Sequence, residues 1–386
     1  MDLTPSEDET ALRTLARDWL RSHVPARPLP SLETAEGFAA HREWEATLHA
    51  GRWSVVSWPE VHGGRGADIF GWLAFEEEYY AAGAPGRVSQ NGINLLAPTL
   101  FAHGTDEQRA RVLPAMASGE VVWAQAWSEP DAGSDLASLR SRAVRADGGW
   151  LLSGQKTWSS RAAFADRAFG IFRSAPVTDT GPPHRGLTYL MFDLRAPGVT
   201  VRPIGRLDGK PAFAEVFLDE VFVPDEDVIG APGEGWRIAM SATGNERGLT
   251  LRSPGRFLAT ADRLVELWHS VGDPDDTAMR DRVADAVIGA RAYQLFTHGH
   301  ASRFAAGATI GAEASVNKVF WSEYDIALHE TALDLLGGEG ALADEPGSGW
   351  AEGHVFALAG PIYAGTNEIQ RDIIAERLLG LPRGRR

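Results

Sequence analysis

The feature that most constrains this 386-residue chain is a double change of hydrophobic period, from helical to strand-like and back. Up to about residue 120 apolar residues recur at helical spacing, as in Leu12, Leu15, Ala16 and Trp19. Ser6 with Glu9, and Thr105 with Gln108, form the Ser/Thr-x-x-Glu/Gln pattern of a helix start. Helices are expected over about 36–50, 69–82 and 106–117, with the Glu76–Glu78 run as a solvated helix face. From Val121 the texture becomes short β-branched and aromatic segments: VVWAQAW, GWLLSG, RAFGIF, LTYLMFDL, VTVRPI and AEVFLDEVFV. Turn pairs separate them, at Asp147-Gly148, Pro182-Pro183, Pro197-Gly198 and Asp208-Gly209. After Pro232-Gly233 helical spacing returns, broken at Pro254, at Gly272-Asp273-Pro274 and through the glycine-rich stretch 337–349. The pattern predicts an α+β protein with a helical domain at 1–120, an antiparallel β domain at 121–230 and a second helical domain at 231–386.

Charge and cysteine count narrow the function. A formal net charge of -15 argues against nucleic-acid binding, which runs on lysine and arginine neutralising phosphates. With no cysteine there is no disulfide, thiolate metal site, iron–sulfur cluster or cysteine nucleophile. His298, His300, His329 and His354 show no metal-ligand spacing and read as ordinary surface or core residues, so no metal is expected. The acidic, amphipathic N-terminus is unlike a secretory signal, and no apolar run reaches the ~20 residues that span a bilayer. A cytoplasmic protein is expected.

Three segments carry possible chemistry. Trp127–Asp135, WSEPDAGSD, ends a strand in a loop of small polar residues whose N–H groups and Ser128 and Ser134 hydroxyls suit a phosphate-bearing or heteroaromatic ligand. An ordinary Asx/Ser turn explains the same residues, and on composition alone explains them better. In Gly154–Ser160, GQKTWSS, Trp158 could stack on a flat ring while Ser160 bonds its edge, although a lone tryptophan in a β domain is more often core. In Tyr363–Arg371, YAGTNEIQR, Gly365 frees the backbone to approach a ligand, and Thr366 and Asn367 are good caps. A plain loop-to-helix start is an equal account of that run.

Together, and in this order with EVFLDEVFVPDEDVIG, GGEG and IIAERLLGLP, these segments resemble the acyl-CoA dehydrogenase superfamily over nearly the whole chain, and within it the actinobacterial branch. The resemblance implies a helical domain, a β domain and a C-terminal four-helix bundle, with FAD as cofactor. By resemblance, Gln125, Ala126, Trp127, Ser128, Gly133 and Ser134 bind flavin and its diphosphate. Trp158 then packs beside the isoalloxazine, Ser160 bonds near N5, and Gly337, Gly338, Thr366 and Glu368 line the rest, partly across a subunit interface. Ser134, Arg247, Tyr363 and Gly365 fall at substrate-facing positions. The chain departs from the family where the region around 252–275 lacks an RxxFG element and where Asp334 stands at the position of a glutamine three residues before the paired glycines, both on the adenine side.

A further departure concerns the base. Members commonly carry glutamate before the Gly-Thr of the third segment, but here that residue is Ala364, which offers only its backbone N–H. A minority supply the base from the first helix of the C-terminal domain, where this chain reads NERG, so the resemblance assigns the base to Glu246. The implied reaction is α,β-dehydrogenation of an acyl thioester, on CoA or an acyl carrier protein. Glu246 takes the α-proton, the Ala364 N–H polarises the carbonyl, and the β-hydride passes to flavin N5. An electron-transfer flavoprotein as acceptor and self-association to a dimer or tetramer are implied as well. The rivals are an oxidase or monooxygenase on the same scaffold, and a catalytically silent subunit beside an active partner.

Overall fold

The computed structural model describes residues 4–176, 184–247, 253–308, 311–341 and 348–383, without side chains for 242–247, 341 and 348. The expected turn at Pro182-Pro183 lies outside them. In chain order the helices are α1 (Glu7–His23), α2 (Ala35–Ala50), α3 (Ile69–Ala81), α4 (Ala97–His103) and α5 (Asp106–Ala117), then α6 (Gly235–Arg247), α7 (Pro254–Val271), α8 (Thr277–Ala305), α9 (Glu313–Leu336), α10 (Ser348–Ala357) and α11 (Asn367–Ile373). Between α5 and α6 run β1 (Trp123–Ala126), β2 (Arg142–Ala146), β3 (Gly149–Ser160), β4 (Arg167–Arg173), β5 (Leu187–Asp193), β6 (Val199–Ile204), β7 (Phe213–Pro224) and β8 (Val228–Ile229).

By contact the chain gathers into two compact units, one of residues 26–66 and 85–246, the other of 1–25, 67–84 and 247–386. The first is built on an eight-stranded sheet ordered β6-β7-β3-β2-β4-β5-β8, antiparallel except that β1 joins β4 in parallel and β2 meets β4 at one parallel pair. Alternation along β3 and β7 sends Trp150, Leu152, Ala214, Val216 and Leu218 into one core with Phe172 and Phe192. Each large side chain so buried contributes about 1.5–3 kcal/mol. Gly148, Gly198 and Gly209, the glycines of three expected turns, all take positive φ. At the start of α5, Thr105 and Gln108 cap each other's backbone reciprocally, as their spacing predicts. A π-turn at Gly92–Leu96, which no spacing announced, precedes α4.

In the second unit α1 and α3 pack with the C-terminal helices. Ser6 accepts the Glu9 N–H and starts α1. Pro254 stands at the first turn of α7, where its missing N–H costs nothing. Gly255 follows because a Cβ there would lie 2.8 Å from the Glu76 carbonyl oxygen of α3. Phe257, Tyr293, Trp321, Leu328 and Trp350 fill the core between α7, α8, α9 and α10.

One expectation is overturned here. Glu77 and Glu78 do not form a solvated face, because α1 lies over them: Arg13 reaches Glu77 at 2.8 Å and Arg17 reaches Glu78 at 2.7 Å. Gln294 also donates to Glu77, at 2.6 Å, and His298 lies 3.6 Å from it. Burial alone would raise the Glu77 pKa, but nearby His298 and the donors on Gln294 and Arg13 outweigh it and bring it down to about 2. Among the described residues no helix is long and apolar enough to cross a membrane.

Candidate active site

In the sheet unit, the first two segments lie side by side. β1 carries Gln125 and ends at Ala126, and Trp127 follows, its ring buried edge-on to Tyr189 at 6.1 Å. The following loop is held by reciprocal backbone bonds between Glu129 and Ala132. Beyond them Gly133 and Ser134 are exposed, and among the described residues their N–H groups reach no acceptor. A Cβ at Gly133 would meet nothing within 4 Å.

The Thr157 N–H donates to the Ser128 carbonyl at 2.9 Å, tying β3 to this loop. There β3 bulges: between Lys156, opposite Val216, and Ser159, opposite Ala214, it carries one residue more than β7. Trp158 occupies the bulge with φ of 59°, a left-handed conformation costly for an aromatic residue. Its indole is 60% exposed and touches Phe213 edge-on at 6.0 Å. So Trp158 is no core tryptophan. A strained backbone holds its ring outward, beside the loop with spare N–H groups, while Ser160, half-buried, ends the strand. An exposed ring on a strand tied to a loop with unpaired backbone donors fits a cofactor that joins a flat heteroaromatic group to an anionic diphosphate.

Beneath both segments lies a pair the motif reading missed. Lys156 is fully buried, and its Nζ donates to Glu129 Oε1 at 2.8 Å, to the Ile171 carbonyl at 2.8 Å and to the Trp127 carbonyl at 3.2 Å. Glu129 also accepts the Arg140 and Ser141 N–H groups. Burial pushes the Lys156 pKa down to about 8 against the pull of Glu129. Burial would raise the Glu129 pKa, but Lys156 and the N–H donors lower it. A signal was present: Trp150 and Leu152 are inward on β3, and Lys156 falls on the same alternation.

In the helical unit, the third segment forms a tight turn. Ala364 and Gly365 have φ of 56° and 79°, and Thr366 caps α11 by accepting the Ile369 N–H at 3.3 Å. Among the described residues the N–H groups of Ala364 and Gly365 reach no acceptor. Tyr363 packs near Trp321, with 5.9 Å between ring centroids. Glu368 is exposed, its pKa lowered by its own backbone N–H and by Thr366. Gly337 ends α9 at φ 55°, and at Gly337 and Gly338 a Cβ would meet nothing. Glu246, the last residue of the sheet unit, and Arg247 end α6, and their side chains lie outside the described residues.

Fold and motifs together define the class. The chain belongs to the acyl-CoA dehydrogenase family, a flavoprotein family: residues 6–120, 124–221 and 233–379 match its N-terminal, middle and C-terminal domains in turn. It is 37% identical over 386 residues to the acyl-CoA dehydrogenase IpdE1 of Mycobacterium tuberculosis, covering 98% of this chain and 99% of that one. FadE34 of the same organism is 39% identical over 84% of this chain and 44% of its own length. Among solved structures the ChsE4-ChsE5 complex of M. tuberculosis is similar at 29% identity and TM-score 0.87, with full coverage of both chains. The Tcur3481-Tcur3483 steroid acyl-CoA dehydrogenase is similar at 27% identity and TM-score 0.87, also at full coverage. The chain is thus an acyl-CoA dehydrogenase with the helical and β domains of that fold.

Proposed function

We propose that this acyl-CoA dehydrogenase uses FAD to desaturate a bulky acyl-CoA between its α and β carbons, with Glu246 as the base. Bound FAD would supply the hydride acceptor. Gln125, Ala126, Trp127, Ser128, Gly133, Ser134, Trp158, Ser160, Gly337, Gly338, Thr366 and Glu368 are the residues assigned to hold it. Ser134, Arg247, Tyr363 and Gly365 are assigned to the substrate. The turn at 364–365 carries the reading, for it keeps a free N–H at Ala364 while its side chain can take no proton. That N–H donates to the thioester carbonyl, raising the acidity of the α-carbon. The proton must then go to a carboxylate elsewhere, and Glu246 is the candidate that the chain offers at a position used by relatives of this family.

The steroid dehydrogenase among the similar structures supports a bulky, fused-ring acyl group over a straight chain. Anaerobic titration of the FAD-loaded protein with straight-chain, branched and steroid side-chain acyl-CoAs tests this through loss of flavin absorbance. Bleaching is expected with a fused-ring member. No bleaching by any member, with FAD retained, would refute the reading. Acyl carrier protein thioesters form a second panel, and an electron-transfer flavoprotein is the proposed reoxidant. The carboxylate base favours dehydrogenation over a flavin monooxygenase role, which needs no such group for α-proton removal; an oxidase would share the base and differ in being reoxidised by O₂.

A second reading has a specific observation behind it. Ala364 lacks the common carboxylate, and similar structures are complexes of two named proteins, ChsE4-ChsE5 and Tcur3481-Tcur3483. On that reading the chain is a silent subunit. It would bind FAD or acyl-CoA without bleaching, and flavin reduction would appear only after a second, different chain is added.

A further inference from the structure

The Ala364–Gly365 turn is held from beneath by side chains that the family motif reading leaves without a role. Gln370, on α11, is fully buried. Its Nε2 donates to the Ala364 carbonyl at 2.9 Å and to the Gly365 carbonyl at 3.3 Å. These two carbonyls fix the amide orientation, since only the NH₂ end can serve them. Among the described residues, that orientation leaves Gln370 Oε1 buried without a partner. A buried acceptor without a donor costs about 1–3 kcal/mol, so the amide is retained at a cost to stability.

The other side of the turn is pinned through Asn367. Its N–H donates to the Pro361 carbonyl at 2.8 Å, and its Oδ1 accepts from buried Lys318 on α9 at 2.7 Å and from Ser322 at 3.1 Å. The turn therefore has fixed points on either side of two successive left-handed residues, one of them an alanine that would not choose that conformation.

We infer that Gln370 is a positioning residue that holds the Ala364–Gly365 turn in its left-handed form and so aims the Ala364 N–H. Its role in the reaction rests on the proposed function of that N–H. A methionine at 370 matches the length of glutamine, removes both bonds and relieves the unpaired oxygen. A glutamate matches the shape but can donate to Ala364 only when protonated.

The test uses the purified full-length protein and the acyl-CoA that bleaches it. Hydrogen–deuterium exchange of the Tyr363–Gln370 segment should accelerate at least about tenfold in Gln370→Met, with other segments unchanged. Losing one oxyanion donor costs about a hundredfold or more, so misaiming one should slow anaerobic flavin reduction about ten- to a hundredfold, with substrate Kd within about threefold. In Gln370→Glu the reduction rate should rise as pH falls, a limb absent from both wild type and the methionine variant. Unchanged exchange in both variants would overturn the clamp. Accelerated exchange with unchanged reduction would instead refute the role of the Ala364 N–H, leaving Gln370 a hold on the turn without a part in the reaction.

Discussion

Replacing Lys156 by methionine should lower stability by an amount that grows with pH. The ammonium is fully buried and satisfies three acceptors, on Glu129, Trp127 and Ile171. Removing it leaves Glu129 with only the Arg140 and Ser141 N–H groups, and loss of one partner of a buried pair typically costs about 3–5 kcal/mol. The lower end applies here because those two donors remain. The native pKa of about 8 lies below the ordinary 10.5. Between these values the unfolded chain keeps a proton that the native protein has released, so wild-type stability gains up to about 1.4 kcal/mol per pH unit from this group. Below pH 8 both states hold the proton and the gain vanishes. The methionine variant has no such group. Urea unfolding followed by tryptophan fluorescence, run in parallel at pH 7, 8, 9 and 10, should show a gap of about 3 kcal/mol at pH 7 that widens by about 2 kcal/mol by pH 10. Adding Glu129→Gln should recover much of the loss at pH 7, since the stranded carboxylate goes with it. A gap that stays constant across this range would refute the account of Lys156, and so would a methionine variant as stable as the wild type.

Other consequences are open to measurement. Glu77→Gln should destabilise by about 3 kcal/mol at pH 7, a difference that shrinks as pH falls from 4.5 toward 2, where the native carboxyl itself protonates; acid unfolding monitored by circular dichroism reads it. Trp158→Ala should weaken FAD retention about tenfold, the value of one aromatic stacking contact, and equilibrium dialysis of the flavin would show no change if the indole is not its platform. Ala364→Glu introduced into Glu246→Gln should restore a measurable part of flavin reduction, because the turn then carries the carboxylate common in the family. A double variant as inert as the single one would argue that position 364 does not face the reacting carbon.

Much of the fold was legible from local patterns, because caps and alternation are written within a few residues. Ser6 and Thr105 start their helices where the spacing places them, and the strands of 121–230 occur where β-branched segments were read. What escaped depends on residues far apart in sequence. The Glu76–Glu78 run looks solvated until Arg13 and Arg17, more than 60 positions earlier, are folded over it. Likewise Lys156 reads as a strand lysine until Glu129, 27 positions earlier, meets it in the core. The motif segments gave no sign of their own backbone conformations. Neither Trp158 nor Ala364 is a residue from which a positive φ would be read, and each is held there by neighbours: a bulge against β7 in one case, Gln370 and Asn367 in the other.

The central claim is that this chain removes an α-proton with Glu246 and not with the residue before the Gly-Thr of its third segment. Stopped-flow reduction of FAD-loaded wild type and Glu246→Gln by the most effective acyl-CoA tests it directly. The account predicts rapid bleaching in wild type and a loss of at least about a thousandfold in the glutamine variant, with FAD and acyl-CoA binding retained. Equal bleaching by the two proteins would contradict it.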